Sequence, residues 1–121
     1  MANKTVGIDI VIHDHSKEVM AALKNAIERG VFAIGEEAVS NAQSYVIKED
    51  RIDTGNMRRS ISHNEQTGAE NFTVVGTDVF YAIYQEMGTS RGIKPAYFLT
   101  RAARNHTDRY KQILKDSIAN A

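Results

Sequence analysis

The chain begins with an alternation of apolar and other residues. Every second residue from position 6 to position 12 is a valine or an isoleucine, which is the period of a half-buried β-strand. The polar run at 13–16 then predicts a turn, and Ser16 with Glu18 predicts the start of a helix. We therefore expect a strand over residues 6–12 that leads directly into a helix.

From position 19 the apolar residues recur at steps of three and four, which predicts one face of a helix. This face comprises Val19, Leu23, Ile27, Val31, Ile34, Ala38, Ala42 and Tyr45. The helix should end near Lys48 and be roughly 45–50 Å long at 1.5 Å per residue. Gly30 and Gly35 lie inside it, where each costs about 1 kcal/mol relative to alanine. We expect them to allow a close crossing or a bend, with a break near Gly30.

A second apolar seam lies on another side of the same helix. Phe32, Val39 and Val46 follow one another at heptad spacing. One small sheet would not cover both faces of the helix. The seam is therefore a candidate contact with another subunit.

The second half of the chain returns to strand patterns. The segments "MRRSISHN" (57–64) and "NFTVVGTDV" (71–79), joined across "EQTGAE", predict a β-hairpin. Residues 79–87 then show helical spacing, with Gly88 as the stop. Pro95 should open the last helix, where its missing N–H costs nothing.

These elements predict an α+β fold. We expect a small antiparallel sheet packed against a long N-terminal helix and a C-terminal helix. With 121 residues, the chain is long enough for one domain, 1–121, with a single core.

Composition narrows the classes of function. Fifteen basic and fifteen acidic residues cancel, so no overall field attracts the chain to nucleic acid or to an anionic membrane. The absence of cysteine excludes thiol catalysis, disulfides and cysteine metal sites. The first residues do not resemble a signal peptide, and we expect synthesis in the cytoplasm.

The tripeptide Asp53-Thr54-Gly55 also occurs in aspartic proteases, where two such chains can pair their aspartates across a shared proton. Here it follows the charged "KEDRI" instead of an apolar strand, and long helices do not belong to that all-β fold. A turn made by Asp53 is the better interpretation. The dimeric protease remains an alternative, which pepstatin-sensitive cleavage abolished by Asp53→Asn would establish.

Histidines and the basic C-terminal helix suggest two further candidates. His13 and His15 would share a face of a strand, as metal ligands do, but no third ligand follows at a telling spacing. His106 lies on an apolar helical face, which indicates a core or interface residue. The last helix contains Arg101, Arg104, Arg109, Lys111 and Lys115. A small nucleic-acid-binding module is therefore a further alternative, which salt-dependent DNA affinity would test.

Three segments taken together resemble a known family. They are "DTGNMRRSI" (53–61), "VGTDVFYAIYQEMGTS" (75–90) and "KPAYFLTRA" (94–102). The set is similar to the tail-component family of long-tailed bacteriophages and prophages over about residues 19–118. The chain departs from the family pattern at three places. Met57 replaces the usual leucine, Tyr97 precedes Phe98 where the family often has proline directly before phenylalanine, and Thr100-Arg101 stands where a second proline is common.

The resemblance implies a function and a set of structural residues. It implies a non-enzymatic neck, head–tail joining or tail-completion protein of the virion, without cofactor, membrane or small-molecule substrate. The implied partners are further copies in a homo-oligomeric ring, the head-completion or connector proteins and the tail proteins, with passive contact to DNA in the lumen. The motif residues are Asp53, Thr54, Gly55, Arg58, Arg59, Ser60, Tyr81, Glu86, Gly88, Thr89, Pro95 and Phe98.

Glu86 is the one acidic residue of the aromatic segment from Tyr81 to Met87. Buried without a partner, a carboxylate is costly. We therefore expect it to be largely buried and paired with Arg58 or Arg59, with Arg101 as the next choice.

Two polar segments, 48–56 and 88–94, are candidate contact loops. Loops of this kind often bind partners from a rigid scaffold. We expect both to be mobile in an isolated subunit and protected in the assembled particle. Arg91 and Lys94 in the second loop would face an acidic neighbour or DNA.

Overall fold

A computed structural model of the protein describes residues 3–49 and 55–121, with side chains from residue 16 onward. It confirms the α+β class, with a long N-terminal helix, a two-stranded antiparallel sheet and C-terminal helices. The elements in chain order are α1 (Asn3–Lys48), α2 (Asn56–Ser60), β1 (Ser62–Gln66), β2 (Phe72–Gly76), α3 (Ala82–Met87), α4 (Phe98–Arg104) and α5 (Thr107–Ala119).

Helix α1 is longer than the sequence pattern indicates. It has 46 residues, and at 1.5 Å per residue it is about 69 Å long. The expected strand at 6–12, the turn at 13–16 and the helix start at Ser16 are wrong, because α1 begins at Asn3. Residues 6–12 continue the helix because extending an existing helix needs no new nucleus. The β-branched residues in this segment lower helix propensity by less than about 1 kcal/mol each. The end at Lys48 is confirmed, and the expected break near Gly30 does not occur.

The two glycines of α1 allow close crossings, which is one of the two alternatives that the sequence predicted for them. A Cβ at Gly30 would lie 2.9 Å from Leu114 Cδ1 of α5. A Cβ at Gly35 would lie 2.5 Å from His63 Nδ1 of β1 and 2.8 Å from Thr73 Oγ1 of β2. One glycine thus brings α5 against α1, and the other brings the sheet against it.

The hairpin forms, although its strands are shorter than expected. β1 and β2 pair antiparallel, from Ser62 opposite Gly76 to Gln66 opposite Phe72. The expectation that residues 57–61 are strand is wrong, because residues 56–60 form α2. Met57 and Ile61 are four positions apart and both buried, so this segment already has helical spacing.

The C-terminal third agrees with the expectations only in part. The short helix before Gly88 is confirmed, and Gly88 has φ 76°. Pro95 does not open the last helix, since α4 begins at Phe98 after Tyr97, whose φ of 52° lies in the left-handed region. The single closing helix is instead two helices, α4 and α5, separated at Asn105 and His106.

The core joins α1 to α2, α3 and α4. Its buried residues are Ala42, Val46, Met57, Ile61, Ala82, Ala96, Phe98 and Ala102. The expected heptad seam is not one surface. Val46 is fully buried and Val39 packs against the core, whereas Phe32 is exposed and contacts the ring of His63. Val46 is therefore a core residue of the subunit, and contact of Phe32 and Val39 with another subunit stays a prediction.

Among the residues that the structure describes, no helix is both long enough and apolar enough to cross a bilayer.

Candidate functional site

Glu86 is buried on the inner side of α3, where it binds the start of α4. Its carboxylate accepts hydrogen bonds from the backbone N–H of Leu99 at 2.8 Å, the backbone N–H of Thr100 at 3.0 Å and the Thr100 hydroxyl at 2.6 Å. The first N–H groups of a helix have no partner within the helix. Glu86 therefore caps α4 from a neighbouring helix.

The expected burial of Glu86 is confirmed, with 8% of the residue exposed, but the expected arginine partner is wrong. Arg59 donates to Asn56 at 2.8 Å, and Arg101 pairs with Glu49 at 2.7 Å. Arg58 Nε is buried without a hydrogen-bond partner. Glu86 binds the start of α4 because Tyr97, the N-cap residue of that helix, makes no side-chain cap bond. The first backbone N–H groups of α4 therefore lack an acceptor from their own N-cap and point toward one supplied by another element.

Backbone hydrogen bonds also hold the residues just before α4 against α3. Ala96 N–H donates to Gln85 O at 2.8 Å, and Tyr97 N–H donates to Glu86 O at 3.2 Å. At Gly88 a Cβ would lie 2.8 Å from both Ile93 O and Pro95 Cδ, and its φ is positive. Because Gly88 has no side chain, the segment that contains Ile93 and Pro95 packs directly against the end of α3.

The loop at 88–94 is closed by its own hydrogen bonds. Thr89 N–H donates to Ile93 O at 2.9 Å, and Ile93 N–H donates to Thr89 Oγ1 at 3.3 Å. Arg91 and Lys94 are exposed on this loop. Its mobility and its contact with a partner stay predictions.

The first motif also makes structural contacts. Asp53 and Thr54 lie outside the described residues, as does much of the polar segment 48–56. Gly55, with φ 75°, precedes α2. Ser60 Oγ donates to Met57 O at 2.6 Å and also bonds Thr77 Oγ1.

These contacts join the three resembling segments. The Ser60–Thr77 bond links the first segment to the second, and the Glu86–Thr100 bonds link the second to the third. Phe98, fully buried, lies in the core that all three segments share. Their order along the sequence is thus matched by direct contact in space.

The outer side of α3 is an exposed apolar surface that the sequence reasoning missed as a contact site. Phe80 is 82% exposed, Ile83 61%, Tyr84 49% and Met87 64%. Ile83, Tyr84 and Met87 lie on the outer side of α3, and Phe80 lies two residues before its first residue. The four follow helical spacing in the sequence, and we call them the α3 face. The signal was available in this spacing, since Ala82 and Glu86, which point inward, fall between the four. Tyr81 precedes α3 and is itself 36% exposed.

His63 holds the sheet against α1. Its ring bonds Glu65 at 2.5 Å and Glu36 of α1 at 3.2 Å, and the Thr73 hydroxyl donates to Glu65 at 2.9 Å. The hydrogen bond to Glu65 raises the pKa of His63 above its ordinary value, against the opposing effect of burial. The arrangement is a packing contact between two elements.

A second polar cluster joins α1 to the C-terminal helices. Tyr45 OH bonds His106 Nε2 at 2.9 Å, Asn41 donates to Tyr110 OH at 3.0 Å, and Tyr110 OH donates to Ala102 O. Burial raises the pKa of Tyr110. His106 is half-buried and has a hydrogen-bond partner, so the expectation of a core or interface residue holds as far as its bond to Tyr45, and a role in an interface stays a prediction.

The metal and nucleic-acid candidates gain no support. His13 and His15 would share a face only in a strand, and the segment that contains them is part of helix α1. In the described part of the chain, no three His, Asp or Glu side chains lie together so that they could hold a metal ion. Of the basic residues near the C-terminus, Arg101 pairs with Glu49 and Arg109 pairs with Glu37 at 3.4 Å.

Residues 12–88 match the family described as "Bacteriophage HK97-gp10, putative tail-component". The match covers more than half of the chain, so the chain belongs to this family, and the resemblance is confirmed at that level. The segment 94–102 lies beyond the matched residues. None of the curated proteins or solved structures compared with the chain matches it.

Proposed function

We propose that the protein is a non-enzymatic structural component of the virion of a long-tailed bacteriophage or prophage. In this proposal it joins the head connector to the tail as a neck or tail-completion protein, and it acts as a ring of identical subunits. Membership of the tail-component family is the observation that carries the proposal. That membership supports a structural role in the tail, and the neck position and the ring are the proposed refinements.

The polar side chains of the described core support a structural role. Glu86 caps α4, His63 fixes the sheet to α1, and His106 bonds Tyr45 between two helices. Each of these groups satisfies a neighbouring element of the fold. Glu86 also lines a groove beside α3, but both of its carboxylate oxygens already accept hydrogen bonds from the start of α4.

The exposed surfaces support assembly with other proteins. Large apolar side chains that are exposed together commonly mark a contact site, and the four residues of the α3 face are each between 49% and 82% exposed. The proposed partners are further copies of the chain, head-completion or connector proteins and tail proteins. Arg91 and Lys94, exposed beside the α3 face in sequence, are the candidates for passive contact with DNA in a ring lumen.

The test is deletion of the coding sequence from the parent phage, with and without a plasmid copy. A neck protein predicts filled heads and complete tails that accumulate unjoined, as seen by electron microscopy, and joined particles when the plasmid copy is present. Particles that are normal without the protein would contradict any virion role. Loss of complete tails would contradict the neck position and indicate a role in building the tail.

Light scattering supplies the second arm of the test. The mass of the purified protein is measured alone and then after mixing with the neighbouring neck proteins. A ring predicts one mass that is a fixed multiple of the 13.5 kDa subunit in at least one of the two samples. A monomer in both samples would contradict the ring.

A further inference from the structure

One edge of the sheet has no strand beside it. In the part of the chain that the structure describes, the sheet has two strands, so β2 pairs with β1 along one edge only. Among the described residues, no backbone hydrogen bond from another element reaches Phe72–Gly76. The backbone N–H and C=O groups along the other edge of β2 are therefore available to an extended chain.

A groove of about 210 Å³ lies beside β2, and we call it the β2 groove. Thr73 and Val75, on the inner face of β2, form one wall, and α4 with α5 forms the other. Ile34 and Ala38 of α1 form the floor, and Ala103 of α4 is exposed at the rim. β1 contributes no residue to the lining.

The contacts around α1 place the β2 groove on the side of β2 that is away from β1. Glu36 binds β1, and Gly35 lies against both strands. Ala38 lines the groove, and Asn41 binds α5. At about 100° per residue, these four positions follow one another around the helix in that order. The layout above α1 is therefore β1, β2, the groove and then α5.

The β2 groove fits a single extended segment and no larger element. A cavity of about 150 Å³ holds a benzene-sized group, so the groove admits roughly one or two aliphatic side chains. Side chains at positions i and i+2 of a strand lie on one face about 6.6 Å apart, as those of Thr73 and Val75 do. Because α4 and α5 close the far side, a strand that already packs on a helix of its own cannot enter. The sheet of a second copy is such a case.

β2 lacks the features that usually protect a free strand edge. Natural edge strands are often interrupted by a charged residue, a proline or a bulge. The five residues of β2 contain no charge and no proline, and their pairing with β1 is continuous. Phenylalanine, threonine and valine also favour strands. β1, in contrast, contains His63 and Glu65, so the edge of β2 is the better site for an added strand.

The described part of this chain offers no segment that fills the groove of another copy. Its longest stretch without helix or strand, residues 88–97, is bound to α3 through the N–H groups of Ala96 and Tyr97. Residues 50–54, outside the described part, include two aspartates and an arginine, which do not suit an apolar groove. The occupant is therefore a segment of a different protein.

We propose that the β2 groove binds an extended peptide segment of a neighbouring protein, which adds a strand to the free edge of β2. Aliphatic residues at alternate positions of that segment enter the groove beside Thr73 and Val75. Val74 lies on the outer face of the sheet and takes no part. The proposal names the kind of contact that joins the protein to a neighbour in the virion, and in that respect it rests on the proposed function.

The test is binding of a synthetic peptide to the isotope-labelled protein, followed by nuclear magnetic resonance. The probe is a capped heptapeptide of alternating threonine and valine with a lysine at each end. The control peptide has the same sequence with its three central residues N-methylated, which removes their N–H donors and keeps their side chains.

We expect the probe to shift the amide signals of Phe72–Gly76 with a dissociation constant of about 1 mM or lower. The N-methylated peptide should bind about ten times more weakly or less, because backbone hydrogen bonds are lost. Equal binding of the two peptides would overturn the proposal. So would the absence of any shift in these signals at about 5 mM probe.

Two matched variants test whether the peptide lies in the groove. Ala103→Phe fills the rim, whereas Arg104→Phe adds the same side chain at the next position, which is exposed and outside the lining. We expect Ala103→Phe to weaken probe binding by about tenfold, since the peptide must compete with the new ring for the same space. Arg104→Phe should bind as wild type does, and circular dichroism checks the helix content of both variants.

Two results with these variants would contradict the proposal. Wild-type affinity of Ala103→Phe for the probe would overturn the groove as the site. Wild-type dimers in light scattering that Ala103→Phe abolishes would overturn the assignment to a different protein and indicate a second copy.

The peptide titration and the phage deletion distinguish the two proposals. The titration uses only the purified chain, so it reports the groove whatever the position of the protein in the virion. Probe binding together with normal virions after deletion would refute the proposed function alone. No probe binding together with unjoined heads and tails would refute the strand addition alone.

Discussion

The middle of α1 and the short helix α3 are held in place in opposite ways. From Ala26 to Val46, α1 is covered by the sheet, α4 and α5, and two glycines let these elements approach closely. α3 has only six residues, too few to be stable as an isolated helix, and it buries two of them, Ala82 and Glu86. The difference indicates that α1 organises the core, whereas the fold fixes α3 so that its outer residues are displayed.

Two phenylalanines give the sharpest contrast between core and displayed surface. Phe98 is fully buried and Phe80 is 82% exposed. Phe98→Ala should lower the free energy of unfolding by about 3–5 kcal/mol, because it removes core contacts and leaves a cavity. Phe80→Ala, the matched control, should change it by less than about 0.5 kcal/mol. Urea unfolding at a concentration where the protein is monomeric measures both, and equal losses would contradict the contrast.

The Glu86 cap should give the next largest effect. Glu86→Ala leaves the N–H groups of Leu99 and Thr100 without their acceptor, and we expect a loss of about 2–4 kcal/mol. Glu86→Gln keeps one acceptor oxygen and should lose about half as much. Glu70→Ala, at an exposed position, is the control for removal of a surface carboxylate. A thermal midpoint for Glu86→Ala equal to that of Glu70→Ala would show that the cap does not stabilise the fold.

The two glycines of α1 should respond differently to alanine. At Gly35 the new Cβ would meet His63 and Thr73 below 3 Å, so Gly35→Ala should destabilise by about 1–3 kcal/mol despite the better helix propensity of alanine. At Gly30 the nearest atom is the end of the Leu114 side chain, which can rotate. Gly30→Ala should therefore cost less. A Gly35→Ala variant that melts higher than wild type would disprove the close approach of the sheet.

The smallest effect concerns pH and His63. Its pKa in the folded protein is raised above 6.5, chiefly by the hydrogen bond to Glu65, so the folded state binds the proton more tightly than the unfolded state. The stabilisation is complete below pH 6.5 and is lost as the pH rises through the folded pKa. The unfolding free energy should therefore fall between pH 6 and pH 8 by more in wild type than in His63→Gln. Identical slopes would contradict the assignment.

The sequence predicted the elements that have a strong local pattern. The apolar spacing from Val19 to Tyr45 predicted α1 and its end, and Gly88 predicted the end of α3. The expected strand at 6–12 failed because a short β-branched run fits either a strand or the continuation of a helix. The division at Asn105 and His106 has a weak signal, a polar run followed by Asp108 in the first turn of α5.

The contacts of the site were harder to predict than the elements. The burial of Glu86 followed from its apolar surroundings, but its acceptor role did not, because a backbone N–H has no residue-specific signal in the sequence. Local capping boxes are recognised by a spacing of three residues, whereas Glu86 caps a helix start that follows a long loop. The exposure of the α3 face depends on which side Ala82 and Glu86 occupy, and the tertiary packing decides that.

The central claim is that the outer side of α3 serves assembly and its inner side serves stability. The most direct measurement compares Ile83→Asp with Val74→Asp, since both residues are exposed and Val74 lies on the outer face of the sheet. Each variant replaces the wild-type copy in the parent phage, and its content in purified virions is measured beside its unfolding midpoint. We expect similar midpoints, with Ile83→Asp missing from virions and Val74→Asp incorporated normally. Normal incorporation of Ile83→Asp would contradict the claim.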